Sequence, residues 1–445
     1  MTETLSSGNV YTKLQRIAQM ARKHPERVFG SIHHVIDIDW LREAYHRTRK
    51  GGAAGVDGQT AAEYATVLSD NLQSLLDRLK SGSYRAPAVR RVHIPKGDGR
   101  KSRPIGVPTF EDKVLQHAVT MVLTAIYEQD FIDCSYGFRP GRSAHDALQT
   151  LRDELMSMSG GWVLEVDVVS FFDTLDHGHL RRFLDRRVTD GVIRRVIHKW
   201  LHAGVLEQGQ LSYPEAGSPQ GGVVSPLLAN IYLHEVLDVW FEREVRPRLC
   251  GRGRLIRYAD DFVLVFEQER DARRVQHVLP KRFGKYGLSL HPDKTRLSRF
   301  ERPRDSRGKR SERPDTFDLL GFIHYWAKSR KGYWVVKRRT ASTRLSRALR
   351  SVWLWCKTHR HWSVGEQRDI LAAKLRGHYN YFGLTGNGAA LENFRTGVLR
   401  AWRRWLGRRG GKRVMTWGRF NLLLGQYPLP PVRVVHSALR QSANP

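Results

Sequence analysis

Tyr258-Ala259-Asp260-Asp261 stands between two apolar runs, Leu255-Ile256 and Phe262-Val263-Leu264-Val265-Phe266, so both acids fall where a β-hairpin should turn. Adjacent carboxylates on a tight turn repel each other unless they hold a cation. A third acid, Asp167 in Val163-Leu164-Glu165-Val166-Asp167-Val168-Val169, ends another strand-like run 93 residues earlier. Three carboxylates on neighbouring buried strands can seat two divalent ions, an arrangement that stabilises both the attacking and the leaving oxygen of a phosphoryl transfer. For the tetrapeptide alone, an ordinary acidic turn is the simpler reading, and the rest of the chain decides between the two.

The elements that must position these acids alternate along the chain. Residues 8–50 carry Leu14, Ile17, Met20 and Ala21 at helical spacing and close at Lys50-Gly51-Gly52. The pattern predicts a strand over 90–94, a helix over 111–128, a strand over 162–169 and helix over 177–205. A helix opened by Pro226 follows over 226–245, then the hairpin at 255–266, a helix over 270–286 and short strands at 317–325 and 332–336. The remainder reads as mostly helical. Strands with helices packed on one side predict an α+β fold, and the composition divides it.

The 445 residues hold 75 Lys+Arg against 44 Asp+Glu, a net charge of +31, with 40% hydrophobic content, enough for folded domains. The charge is uneven. Residues 327–445 carry 25 basic and only 3 acidic side chains, whereas residues 1–326 carry 50 and 41. A boundary near 326 follows, with a polyanion as the expected partner of the basic part. Trp353, Trp355, Trp362, Tyr379, Tyr381, Phe382, Trp402, Trp405 and Trp417 are interleaved with those cations, as on surfaces that stack bases, although most aromatics on amphipathic helices are core.

No apolar stretch reaches the ~18 residues of a spanning helix, and the N-terminus lacks a secretory pattern, so the expectation is a cytoplasmic protein without a membrane partner. Cys134, Cys250 and Cys356 are far apart, which implies neither a disulfide framework nor a zinc site. Glu301 to Pro314 is highly charged and poor in apolar residues, and reads as a solvated loop.

Two further segments suit a nucleotide substrate. Arg91 to His117 begins as a strand, a Gly-rich turn and a return carrying Lys96, Arg100, Lys101 and Arg103, a basic hairpin able to fold over a triphosphate. Gly217-Ser218-Pro219-Gln220-Gly221-Gly222 is a Gly-rich loop that feeds the helix at Pro226 and permits close backbone approach to a ligand. Each alone is weaker evidence than their order along the chain.

In that order the chain closely resembles bacterial group II intron reverse transcriptases, also called intron-encoded maturases. The resemblance begins at Leu41-Arg42-Glu43-Ala44-Tyr45 and Gly52-Ala53-Ala54-Gly55-Val56-Asp57-Gly58. It continues through Ile94-Pro95-Lys96, Arg103-Pro104-Ile105-Gly106-Val107-Pro108-Thr109 and Tyr136-Gly137-Phe138-Arg139-Pro140-Gly141-Arg142. The Asp167 strand with Phe171-Phe172-Asp173, the Gly217 to Leu233 block, Tyr258 to Asp261, Leu288 to Lys294, Leu320-Gly321-Phe322 and Leu375 to Phe394 follow.

The resemblance implies a right-hand polymerase: an N-terminal helical extension (1–60), fingers and palm (61–326), a helical thumb or maturase domain (327–410) and a short basic C-terminal segment (411–445). It implies two Mg²⁺ ions, replaceable by Mn²⁺, held by Asp167, Asp260 and Asp261 with the Val168 carbonyl. Lys96 and Arg103 match the positions that hold the triphosphate. Phe172 matches the bulky residue beside the sugar 2′ position, Gln220 the loop residue near the templating pair, and Lys294 a lysine that assists the leaving group. Arg338, Arg339, Arg344, Arg347, Lys374 and Arg376 are the expected RNA contacts.

Implied partners are group II intron RNA, an RNA template with a DNA primer, dNTPs and target DNA; a homodimer is left open. Val169-Ser170 departs from the Lys-Gly of many relatives, and no CxxC pair or His-Asn-His-like cluster follows Trp417, so DNA cleavage by the protein is not expected. The expected function is RNA-directed DNA polymerisation with intron-RNA binding for splicing and retrohoming. The alternatives are a related polymerase in host defence or repair, and an RNA-binding maturase that only assists splicing.

Overall fold

The computed structural model describes residues 2–96, 101–213, 216–217, 221–303, 315–409 and 415–436. Contacts divide the chain into two units, residues 1–151 with 162–297, and residues 152–161 with 298–445. The division falls at 297/298 rather than at the expected 326, because the second unit already holds the strand Phe317–Leu319 and most of Phe322–Lys328 before the basic composition begins.

The first unit opens with α1 (Thr2–Lys23), α2 (Ile38–Arg47), α3 (Ala61–Ala65) and α4 (Leu68–Ser81), then β1 (Val89–Lys96), β2 (Lys101–Val107), α5 (Phe110–Tyr127) and α6 (Ala144–Ser157), whose end crosses into the second. The single helical segment expected over 8–50 is thus two helices. After α1 the chain turns at Pro25, and the Asp37 carboxylate accepts from Trp40 N to start α2 afresh. Both helices pack on α5 and share its core, with Trp40 and Leu41 fully buried, so residues 1–60 form no separate body.

Next come β3 (Trp162–Val166), α7 (Phe171–Thr174), α8 (His177–Asp185), α9 (Gly191–Leu201), β4 (Val205–Glu207), β5 (Gln210–Ser212), α10 (Ser225–Leu233), β6 (Gly253–Tyr258), β7 (Asp261–Phe266) and α11 (Glu269–Gly284), with β8 (Arg296–Arg299) at the division. The helix expected over 177–205 breaks where buried Asp190 caps α9, accepting from Val192 N and Ile193 N. Two four-stranded sheets result, in the orders β2-β1-β4-β5 and β6-β7-β3-β8. β7 lies between two antiparallel neighbours, which is why Phe262 to Phe266 can be apolar on both faces.

The second unit holds β9 (Phe317–Leu319), β10 (Phe322–Lys328) and β11 (Trp334–Thr340) in one antiparallel sheet, followed by α12 (Ser342–Thr358), α13 (Val364–Phe382), α14 (Gly388–Leu406) and α15 (Trp417–Gln426). Its helical core is built on Leu371, Leu375, Leu391, Val398 and Trp402. The fold class is α+β, as the sequence pattern predicts.

Candidate active site

The hairpin forms as expected, Tyr258 pairing with Asp261 so that Ala259-Asp260 make the turn. Ala259 has φ +57°, a left-handed conformation that costs an L-residue about 1–2 kcal/mol unless its surroundings impose it. Those surroundings are a buried polar network. Arg257, fully buried on β6, donates from Nη1 to the Ala259 carbonyl (3.0 Å) and to Asn230 Oδ1 (2.9 Å), and grips Asp238 through Nε (2.8 Å) and Nη2 (2.5 Å). Asn230 in turn donates to the Gly137 carbonyl at 2.7 Å. Gly137 lies so close to the turn that a Cβ there would come within 2.3 Å of Ala259 N, which excludes any side chain. Burial works against the Arg257 charge, but Asp238 more than offsets it and holds the guanidinium pKa above its ordinary value.

Asp167 reaches the same strand end from the other side. β3 pairs antiparallel with β7 through Val166 and Phe262, and the next register step sets Asp167 across from Asp261. The Asp167 carbonyl accepts from His291 N (2.8 Å), and Val169 N donates to Ser289 O (2.8 Å), so residues 289–291 run beside the aspartate. The helical turn Pro292–Lys294 then delivers Lys294, whose Nζ lies 2.8 Å from Asp167 Oδ2. Val168 is buried beside it.

The Asp260 carboxyl is raised above the usual carboxylate range, first by burial and further by the charge of Asp167, against the pull of Arg103 and Arg257. Arg103, exposed on β2 opposite Ile94, therefore stands within electrostatic reach of Asp260. Among the described residues no group of three or more His, Cys, Asp or Glu side chains is gathered to hold a metal ion. The three aspartates share one strand end without converging. Mutual repulsion between Asp167 and Asp260, with the lysine drawn onto Asp167, is the electrostatic condition a divalent cation would relieve, so the donor set fits one.

Phe172 is half-buried on α7, edge-on to Phe171 at 5.4 Å. The Gly-rich loop meets it: a Cβ on Gly217 would come 2.8 Å from the Phe172 carbonyl, and one on Gly221 2.5 Å from the Gly106 carbonyl of β2. Both glycines have positive φ, and each can approach its facing backbone only because it is a glycine. Val223 N donates to Gln116 Oε1 (2.7 Å), Gln116 to Asp112 Oδ2 (3.0 Å), and Asp112 Oδ1 accepts from Trp200 Nε1 (2.6 Å) and from the Tyr84 hydroxyl. Burial pushes Asp112 up to about 6 against those donors. Gln220, residues 218–219 and 97–100, and the side chains of Lys96 and Lys101 lie outside the described residues, as do 304–314 of the charged loop and 410–414 and 437–445 of the C-terminal segment.

In the second unit the expected RNA contacts divide. Arg338 is only 5% exposed on β11, and burial with the neighbouring Arg152 lowers it to about 10; it is a core group, not a solvent-facing contact. The alternation of β11 explains the correction, since Val336, Arg338 and Thr340 share its buried face while Arg339 points out over the Tyr325 ring at 5.3 Å. Arg344 and Arg347 are exposed on α12, and Arg376 on α13. Lys374 is half-buried over the Trp355 ring at 5.8 Å. Of the interleaved aromatics, Trp362 and Trp417 are prominently exposed, while Tyr379, Trp402 and Trp405 are core.

Sequence reasoning missed Arg257, Asp238, Asn230 and Gln116. An arginine inside a run that otherwise reads as buried strand, Leu255-Ile256-Arg257, was the available signal, because such a charge needs a partner.

The family model described as reverse transcriptase (RNA-dependent DNA polymerase) matches residues 94–324. The chain is 35% identical over 280 residues to the group II intron-encoded protein LtrA of Lactococcus lactis subsp. cremoris, covering 60% of this chain and 44% of that protein. It is 34% identical over 328 residues to protein YkfC of Escherichia coli (strain K12), covering 65% and 84%. A putative COX1/OXI3 intron 1 protein of Saccharomyces cerevisiae is 32% identical over 222 residues, covering 49% and 26%. The chain spans less than half the length of the Lactococcus protein.

Proposed function

Because the chain belongs to the reverse transcriptase (RNA-dependent DNA polymerase) family, we propose that it copies RNA into DNA and binds a group II intron RNA, assisting its splicing and its retrohoming by target-primed synthesis. The observation that carries the reading is the Asp167–Lys294 ion pair at a strand end where the charges of Asp167 and Arg103 both act on the Asp260 carboxyl. A primer 3′-hydroxyl oxygen attacks the α-phosphorus of a deoxynucleoside triphosphate, its proton passing to water, and the new O–P bond forms as the bond to pyrophosphate breaks.

Asp167, Asp260 and Asp261, with the Val168 carbonyl, would hold two Mg²⁺ ions, or Mn²⁺, which would supply the positive charge that acidifies the attacking hydroxyl and neutralises the leaving oxygen. Arg103 and Lys96 bind the triphosphate. Lys294 leaves Asp167 and donates a proton to the departing pyrophosphate. Phe172 stands beside the sugar and excludes a 2′-hydroxyl, and Gln220 lies near the templating pair. Arg257 and Asn230 fix the turn that aims Asp260.

RNA is gripped by Arg339 of β11 and by Arg344, Arg347, Lys374 and Arg376 of the helices that follow it. Support for the intron assignment comes from the Lactococcus relative, itself an intron-encoded protein. Extension of a DNA primer on an RNA template by the purified protein with Mg²⁺ and dNTPs tests the reading, and absence of any product on such a template would remove it.

A further inference from the structure

Away from the aspartates, α8 and α9 enclose a cationic groove that the reaction above does not use. Two cavities of about 220 and 300 Å³ adjoin there, sharing Arg181, Arg194 and His198. Helical spacing builds one wall from Arg194, His198 and His202, and Arg181 and His177 of α8 face it. The larger cavity adds Arg195. The floor is apolar, formed by Leu184, Ile197 and Leu201. Asp185 is the one acid in the lining, and Arg194 already engages it through Nη2 at 3.0 Å.

Three imidazoles gather in this cationic setting. His198 and His202 have ring centroids 4.0 Å apart, and His177 stands 4.9 Å from His202. Burial, then His202, Arg181 and His177, lower the His198 pKa below its ordinary value. His177 is fixed by Nε2 on the Gly217 carbonyl at 2.6 Å, and its Nδ1 is buried without a hydrogen-bond partner among the described residues. Exposed Arg181 and Arg195 beside an apolar floor call for an anion that also has a flat apolar part. A bare phosphate would leave the floor uncovered.

We propose that the α8–α9 groove is an accessory nucleotide site, with a phosphate held by Arg181 and Arg195 and a base resting on the Leu184, Ile197 and Leu201 floor against the imidazoles. The nucleotide is either free or one residue of an RNA strand; the recognition chemistry is the same. The inference does not rest on the polymerase reading, since the groove contains none of the residues assigned to that reaction.

Photolabelling tests it with the full chain in EDTA, using 8-azidoadenosine 5′-monophosphate and mapping labelled peptides by mass spectrometry. Label should appear within residues 177–202. Arg181→Ala with Arg195→Ala should lower it by about tenfold, whereas Lys at both positions should retain most of it; both arginines are exposed, so neither change should disturb folding. Displacement by AMP identifies a free nucleotide, and displacement by a short unprimed oligoribonucleotide but not by AMP identifies a strand; either supports the site. Label absent from 177–202, equal labelling of the double Ala variant, or inorganic phosphate displacing the probe as well as AMP would overturn it.

Discussion

Lys294 Nζ lies 2.8 Å from Asp167 Oδ2, an ion pair between the residue assigned to the leaving group and one assigned to the attack. The two side chains are 58% and 36% exposed, and pairs so placed contribute only about 0–1 kcal/mol. So weak a pair would yield readily to a divalent cation held by Asp167, which would free the lysine.

Lys294→Ala should therefore lower the maximal rate of primer extension by about 10²-fold, the scale of a lost general acid, without weakening Mn²⁺ binding measured by paramagnetic resonance. A variant with unchanged rate would leave Lys294 as a counter-charge alone. Loss of metal binding would instead make it a structural support of Asp167.

Breaking the buried pair beneath the turn separates stability from aim. Arg257→Met strands the Asp238 carboxylate and should cost about 3–5 kcal/mol in unfolding. Arg257→Met with Asp238→Leu should recover most of that stability in thermal melts. Polymerisation should stay low in the double variant, because the Ala259 carbonyl and Asn230 Oδ1 both lose their donor. Wild-type activity in the restabilised protein would show that the network holds the fold and nothing more.

This network also marks where the sequence stopped being legible. The hairpin at 258–261 and the Asp167 strand were readable because turn and strand periodicity are local. The Gly-rich loop announced close approach, but not that Gly217 meets Phe172 and Gly221 meets Gly106, since those contacts join segments far apart in the chain. Breaks at Pro25 and Asp190 were lost inside long helical patterns. The period-2 burial of β11 was available in Val336, Arg338 and Thr340, yet a count of charges hides which face each one takes.

Sugar choice tests the placement of Phe172. Phe172 is half-buried, and if its ring walls the sugar pocket, Phe172→Ala should raise incorporation of ribonucleotides by about tenfold or more relative to dNTPs, a steric discrimination of the order expected for a lost pocket wall. Competing rNTP and dNTP extension by wild type and variant measures it. An unchanged preference would make Phe172 a packing residue.

RNA affinity should follow the exposed cations of the second unit. Neutralising Arg339, Arg344 and Arg347 together should weaken binding of structured intron RNA and flatten the plot of log affinity against log salt by about 2 units, since each phosphate contact releases condensed counterions. Filter binding across salt concentrations reads the slope. Arg338 is left out of the set because its burial would confuse lost affinity with lost stability. An unchanged slope would mean that RNA is held elsewhere.

Asp260, whose carboxyl is raised above its ordinary range beside Asp167, should serve the chemistry rather than the grip on RNA. Purified Asp260→Asn, which keeps the size of the side chain and removes its charge, should be compared with wild type in Mg²⁺-dependent extension of a DNA primer on an RNA template, alongside RNA binding by the same preparations. In the variant cDNA synthesis should fall by at least about 10³-fold while RNA affinity stays within about twofold. Synthesis by Asp260→Asn near the wild-type rate would contradict that role.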